Sequence, residues 1–99
     1  MRLVVHQHAK SELAKSRRWY ERRQEGLGLQ MLDDVRSALY WIEAHPQLGI
    51  RYLNTPFRFC RTKQFPFVVY YLELSDHICI MAIAHERRRP GYWKKREPE

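Results

Sequence analysis

Phe67-Val-Val-Tyr-Tyr-Leu-Glu-Leu74 and His77-Ile-Cys-Ile-Met-Ala-Ile-Ala84 are joined through Ser75-Asp76, and this pair of runs decides the fold. Both are rich in β-branched and aromatic residues, and both are apolar at nearly every position. They read as two adjacent strands of a hairpin, lying in the centre of a sheet and covered by other elements. Just upstream the period is two: Phe57, Phe59 and Arg61 alternate with Arg58, Cys60 and Thr62. That pattern predicts an edge strand that shows cations on one face. Residues 46–56, with Pro46, Gly49, Asn54 and Pro56, read as a loop.

Further towards the N-terminus the period becomes helical. Leu29, Leu32, Val35, Leu39 and Ile42 form an apolar stripe that ends before Pro46, because proline pushes its predecessor out of helical geometry. An earlier helix is predicted from about Ala9 to Gln24, with Ala9, Leu13 and Tyr20 on one face and Lys10, Lys15, Arg18 and Arg22 on the other. Gly26 and Gly28 break the run and mark a tight turn, so the two helices form an antiparallel hairpin. Arg2 to His6 reads as a short first strand. The expected fold is α+β, in the order β-α-α-β-β-β, with the helical hairpin packed on a mainly antiparallel sheet.

Ninety-nine residues with 44% hydrophobic content suffice for one domain, residues 1–99, with one modest core. Residues 94–99 read as a charged tail that frays. No run is long enough to span a membrane, and Met1 leads into a charged residue and a short strand without a signal-peptide core. The expected location is therefore the cytoplasm. Cys60 and Cys79 lack metal-site or redox spacing and read as reduced, packed thiols.

Lys and Arg outnumber Asp and Glu by 18 to 11, a formal net charge of +7. The excess is concentrated after residue 45, which points to an anionic partner: nucleic acid, the ribosome or an acidic protein segment. Arg51, Arg58, Arg61 and Lys63 have no acid between them. Arg87, Arg88, Arg89, Lys94, Lys95 and Arg96 follow the last strand. Arg58 or Arg61 could meet Arg87 or Arg89 around phosphate oxygens, which the planar guanidinium pairs two at a time. The plainer alternative is a charged edge that keeps sheets from joining.

His85, at the end of the last strand, is either an acid–base group or a strand-end histidine bonded to its own neighbours. Tyr92 and Trp93, behind Pro90-Gly91, either stack a base or fold back as a plug, and packing is the expectation for Trp93. His6 and His8 are too few for a zinc site. Trp19, Tyr20, Tyr40 and Trp41 are expected as core and hairpin contacts. No phosphate-cradling glycine loop, serine elbow or paired-carboxylate motif is present, so no cofactor and no metal are expected.

The chain resembles the RelE/ParE superfamily of bacterial type II toxins over nearly its whole length. The resemblance rests on Ala9-x-x-x-Leu13 with Tyr20, Gly28 with Leu32, Ile42-x-x-x-Pro46, and Arg58. It continues through Phe65-Pro66-Phe67-x-Val69-x-Tyr71 and Ile83-x-His85-x-x-Arg88-x-Pro90-x-x-Trp93-x-x-Arg96. His6-Gln7-His8 departs from it, where the family more often places a Ser or Thr cap. The resemblance implies the fold derived above, an antitoxin partner, and one of two activities, or else a member that has lost toxicity and only pairs with its antitoxin. The ParE-like branch, favoured by the tail, poisons DNA gyrase. Its target-binding candidates here are Arg58, Arg61, Arg88, Arg89, Trp93, Lys94 and Arg96. The RelE-like branch cuts mRNA on the ribosome. It would use His85 as acid or base, Arg61 with Arg87 or Arg88 as stabilisers and Tyr92 as an orienting group, Glu86 being a weaker base. The implied antitoxin is an acidic, amphipathic segment that folds against the helical hairpin or the open sheet face.

Overall fold

The hairpin of residues 67–85 forms the centre of the sheet. A computed structural model describes residues 1–99. The elements are β1 (Arg2–Val5), α1 (Gln7–Arg23), α2 (Leu27–Ala44), β2 (Ile50–Arg51), β3 (Arg58–Arg61), β4 (Phe67–Glu73) and β5 (His77–His85). The sheet order is β1-β5-β4-β3-β2. β1 runs parallel to β5, with Leu3 beside Ile78 and Val5 beside Ile80, and every other pair is antiparallel. The expected α+β order is present, with one strand more. The two-residue β2 lies in the predicted loop and occupies the edge position expected for β3.

Why β5 is apolar throughout becomes clear from its register. Tyr70 pairs with Ala82 and Tyr71 with Ile80, so Met81 is an extra residue, a bulge. A bulge shifts the alternation of side chains by one. Ile78 and Ile80 face the helices, Met81 and Ala82 both face away, and Ile83 returns to the helices. One consequence is that His85 ends on the helical face, edge to face with Phe67 at 5.6 Å between ring centres.

Each face of the sheet carries its own core. On the helical side, Ala9, Met31, Val35, Ala38 and Ile42 pack on Phe67, Val69, Tyr71, Ile78, Ile80 and Ile83. The apolar stripe of α2 is therefore displaced from the sequence reading: Leu29 is exposed and Leu39 is peripheral, while Met31 and Ala38 are buried. On the other side Trp93 is fully buried, with Tyr52, Phe57 and Tyr70 within 5.3, 4.9 and 4.5 Å of its ring centre. The tail thus folds back as the plug that the sequence suggested, and this face of the sheet is not open. The Trp93 indole N–H has no acceptor.

Polar side chains fasten the connections. The imidazole of His6 replaces the expected Ser or Thr cap: its Nδ1 accepts the His8 N–H at 3.0 Å and opens α1. The carboxylate of Glu21 accepts the N–H groups of Gly26 and Gly28, both at 3.0 Å, and so caps α2 from α1. Those two bonds hold its pKa below the ordinary carboxylate value. Gly28 lies inside α2, where a Cβ would stand 2.7 Å from the Arg17 carbonyl oxygen. The missing side chain lets the helices cross closely. Asp34, buried on α2, accepts the N–H groups of Lys63, Gln64 and Phe65 at 3.1, 2.9 and 2.7 Å, and fixes the turn into β4.

Tyr71 ties the loop before β2 to the sheet. Its hydroxyl donates to the Pro46 carbonyl at 2.7 Å and accepts the Gly49 N–H at 3.1 Å. A Cβ on Gly49 would come within 2.0 Å of that hydroxyl oxygen. Gly49→Ala should therefore push the loop off Tyr71 and break both bonds, lowering stability by about 2–3 kcal/mol. Urea denaturation of the variant, set beside Tyr71→Phe, measures this. A Gly49→Ala midpoint equal to the parent's would contradict it.

Candidate functional site

β1 ends opposite Ile80, and the chain turns away into α1 with the His6 N–H still bonded to the Ile80 carbonyl at 2.9 Å. Beyond Ile80 the outer edge of β5 has no strand beside it. Such an edge is a template for unwanted pairing unless it is covered. Side chains cover it. Glu12 of α1 accepts the Ile83 N–H at 3.0 Å. Arg96, from the tail on the other face, donates to the Met81 carbonyl at 2.8 Å and to both Glu12 oxygens at 3.2 and 2.8 Å. The Tyr92 hydroxyl donates to Glu12 as well. The Glu12 and Arg96 side chains are only 12% and 16% exposed, so this ion pair is a structural seam and no solvated surface bridge.

The seam decides the fate of several candidates. Arg96 and Tyr92 are spent on Glu12, and Trp93 between them is buried; none of the three is available to a target. Residues 94–99, expected as a fraying tail, are held by Arg96 and again at Glu99, whose side chain accepts the Gln7 N–H at 2.9 Å. Burial, then the hydrogen bond and charge of Glu12, pushes the Tyr92 phenol above its ordinary value. On β3, Arg58 donates to the Gly49 carbonyl at 2.8 Å and braces the loop before β2. It too is a structural residue.

Arg61 is exposed but faces the wrong way for His85. Its neighbour Cys60 packs on the helical core, so Arg61 points to the opposite face, over Phe59 at 5.8 Å. β4 lies between β3 and β5, which sets the two strands roughly 10 Å apart. The set His85, Arg61, Arg87 or Arg88, and Tyr92 therefore does not converge on one point. Arg87, Arg89, Lys94 and Lys95 are exposed, without a carboxylate in ion-pair range.

What does come together lies along α1. A cavity of about 270 Å³ is bounded by Glu12, Lys15, Ser16, His85, Arg88 and Arg96, together with His8, Ser11 and Ile83. A second, of about 300 Å³, shares Lys15, Ser16 and His85 with it and ends on Trp19, Tyr20 and Phe67. His85 Nδ1 accepts the Arg87 N–H at 3.1 Å, so in the neutral ring the proton sits on Nε2. The Arg88 guanidinium carbon stands 3.8 Å from the centre of the Tyr92 ring, a cation–π contact, and the residue is exposed with no carboxylate partner. Trp19, expected in the core, is 46% exposed, as Tyr40 and Trp41 are also exposed.

Glu12 and Asp34 carry no signal in the sequence pattern, and Lys15 reads there only as part of the charged face of α1. Glu12 meets Arg96 from the far end of the chain, and no local pattern reports such a pair. The Phe65-Pro66-Phe67 turn did signal a fixed loop, without saying which carboxylate fixes it.

Two outcomes follow, one from the seam and one from the buried phenols. Glu12→Ala should strand the largely buried Arg96 and orphan the Ile83 N–H, costing about 3 kcal/mol. Amide exchange across residues 91–96 should accelerate with it; unchanged exchange would refute the clamp. The second concerns alkali. Tyr20, Tyr70, Tyr71 and Tyr92 all have phenol pKa values raised, each chiefly by burial. The unfolded chain therefore loses these protons first, and stability should fall as pH climbs past the free phenol value of about 10. Thermal midpoints read from pH 8 to 11 check it, and a flat profile would contradict it.

Residues 3–90 match the family described as the ParE toxin of type II toxin-antitoxin system, parDE. Among solved structures, the chromosomal ParDE toxin–antitoxin system from P. aeruginosa contains a chain that superposes with a TM-score of 0.66 at 17% identity. The match covers 86% of this chain and 95% of that one, a likeness of fold. No curated protein sequence matches. No helix is long and apolar enough to cross a membrane.

Proposed function

Because the chain belongs to the ParE toxin family of type II toxin–antitoxin systems, we propose that it arrests growth by poisoning DNA gyrase in the cytoplasm, and that its cognate antitoxin neutralises it. The observation that carries this reading is the family match, which runs from the first strand to Pro90. The site supports it from another direction. Ribosome-dependent mRNA cutting, the alternative, needs a base, a phosphorane stabiliser and an acid around one phosphate. Here Arg61 and His85 lie on opposite faces, and the Tyr92 proton is bound to Glu12 with its pKa raised. A protein that traps another enzyme's intermediate needs only an adhesive surface. Arg89 and Lys94, exposed around the Pro90-Gly91 turn, are the cations we assign to it, with Arg61 on the same face as the tail.

For the antitoxin, an acidic segment on the outside of the helical hairpin fits best. The second sheet face is plugged by Trp93, whereas Leu29 and Tyr40 of α2 are 51% and 69% exposed.

A supercoiled plasmid incubated with gyrase, ATP and the purified chain should accumulate linear DNA, and added antitoxin should abolish it. Arg89→Glu combined with Lys94→Glu should cut the trapped product about tenfold without moving the thermal midpoint. Fully active gyrase with no trapped cleavage, together with codon-dependent mRNA cuts on ribosomes, would overturn the proposal.

A further inference from the structure

The groove along α1 has no part in the reading above, and its chemistry is specific. We propose that it binds a single strand of nucleic acid, with a phosphate held by Lys15, His85 and Arg88 and a base laid against Trp19. The charge in the groove is uncompensated: Glu12, the carboxylate lining it, is already taken by Arg96, Tyr92 and the Ile83 N–H. Lys15 and Arg88 have no acidic partner. His85, with Nδ1 turned to the Arg87 N–H, has Nε2–H left as a donor. Arg88 is held by the Tyr92 face beneath it, which presets its N–H edge for a pair of phosphate oxygens.

Trp19 supplies the stacking surface. It stands half exposed at the end of the groove where Tyr20 and Phe67 form the floor. The Arg23 guanidinium covers one face of its ring, 4.1 Å from the centre, so a base would stack on the other face. Cations that follow a backbone, with an aromatic ring one step along, are the elements of sequence-tolerant strand binding. An acidic peptide, the other anion of this size, would be expected to pair along the free edge of β5. That edge is closed, since Glu12 holds the Ile83 N–H and Arg96 holds the Met81 carbonyl.

The proposal does not depend on gyrase, and its test uses the purified chain alone. Labelled oligothymidylate and oligouridylate are titrated by fluorescence anisotropy over a range of salt. Lys15→Ala and Arg88→Ala should each weaken binding about tenfold and reduce the slope of log affinity against log salt by about 0.7. Trp19→Ala should weaken it to a similar degree and remove the quenching of tryptophan emission. All three residues are exposed, so the variants should fold, and amide spectra confirm it. Arg51→Glu, at the opposite edge of the sheet, should change affinity less than about twofold. Preference between the two strands tells whether DNA or RNA is the natural source. The proposal is overturned if neither oligonucleotide binds, if Arg51→Glu is as damaging as the groove variants, or if polyglutamate competes equally well with and without Trp19.

Discussion

Glu12 brings a negative charge to the place where a helix, an unpaired strand edge and the returning tail meet, and the arrangement of all three follows from it. A carboxylate taken so far from water needs donors on both oxygens. Ile83 supplies one from the backbone, Tyr92 and Arg96 the others. Because Ile83 follows the bulge at Met81, the edge that Glu12 grips is offset from the part of β5 that pairs with β1. Because Arg96 must reach around that edge, the tail is drawn over the second face, and Trp93 is carried into the aromatic cluster there. Remove the charge and the edge, the tail and the second core lose their common anchor.

Much of this could be read in the sequence because it depends on local patterns. Two adjacent apolar runs with a polar pair between them have few solutions other than a central hairpin, and the α2 periodicity ended where Pro46 required. The displacements have physical causes. Leu29 belongs to a good stripe on paper, but Gly28 brings the helices so close that the buried face rotates towards Met31 and Ala38. The edge character read into Arg58 to Arg61 fails because Ile50 and Arg51 pair outside it, and a two-residue strand leaves no periodic trace. The full apolar run of β5 concealed a bulge, since alternation cannot be seen where both faces are buried.

The site was less legible, for a reason rooted in what arginine does. A run of cations in sequence does not say which ones face water. Arg58 and Arg96 prove to be braces, each donating to a backbone carbonyl, and Arg96 also pairs with Glu12. Arg87, Arg89, Lys94 and Lys95 stay solvated. The residues that assemble into a groove are distant in sequence, Lys15 and Trp19 on α1 with His85 at the end of β5 and Arg88 beyond it. The packing of α1 against β5 makes them neighbours.

The parallel pairing of first strand with last also sets a schedule for the nascent chain. The contacts between the two helices are local in sequence, and their pairing can form early. β1 emerges from the ribosome first, yet it has nothing to pair with until residues 77–80 follow, and Glu12 waits longer still for Arg96. Until then the N-terminal strand and the inner face of the hairpin remain exposed, an interval in which a folding partner already present would find its easiest entry.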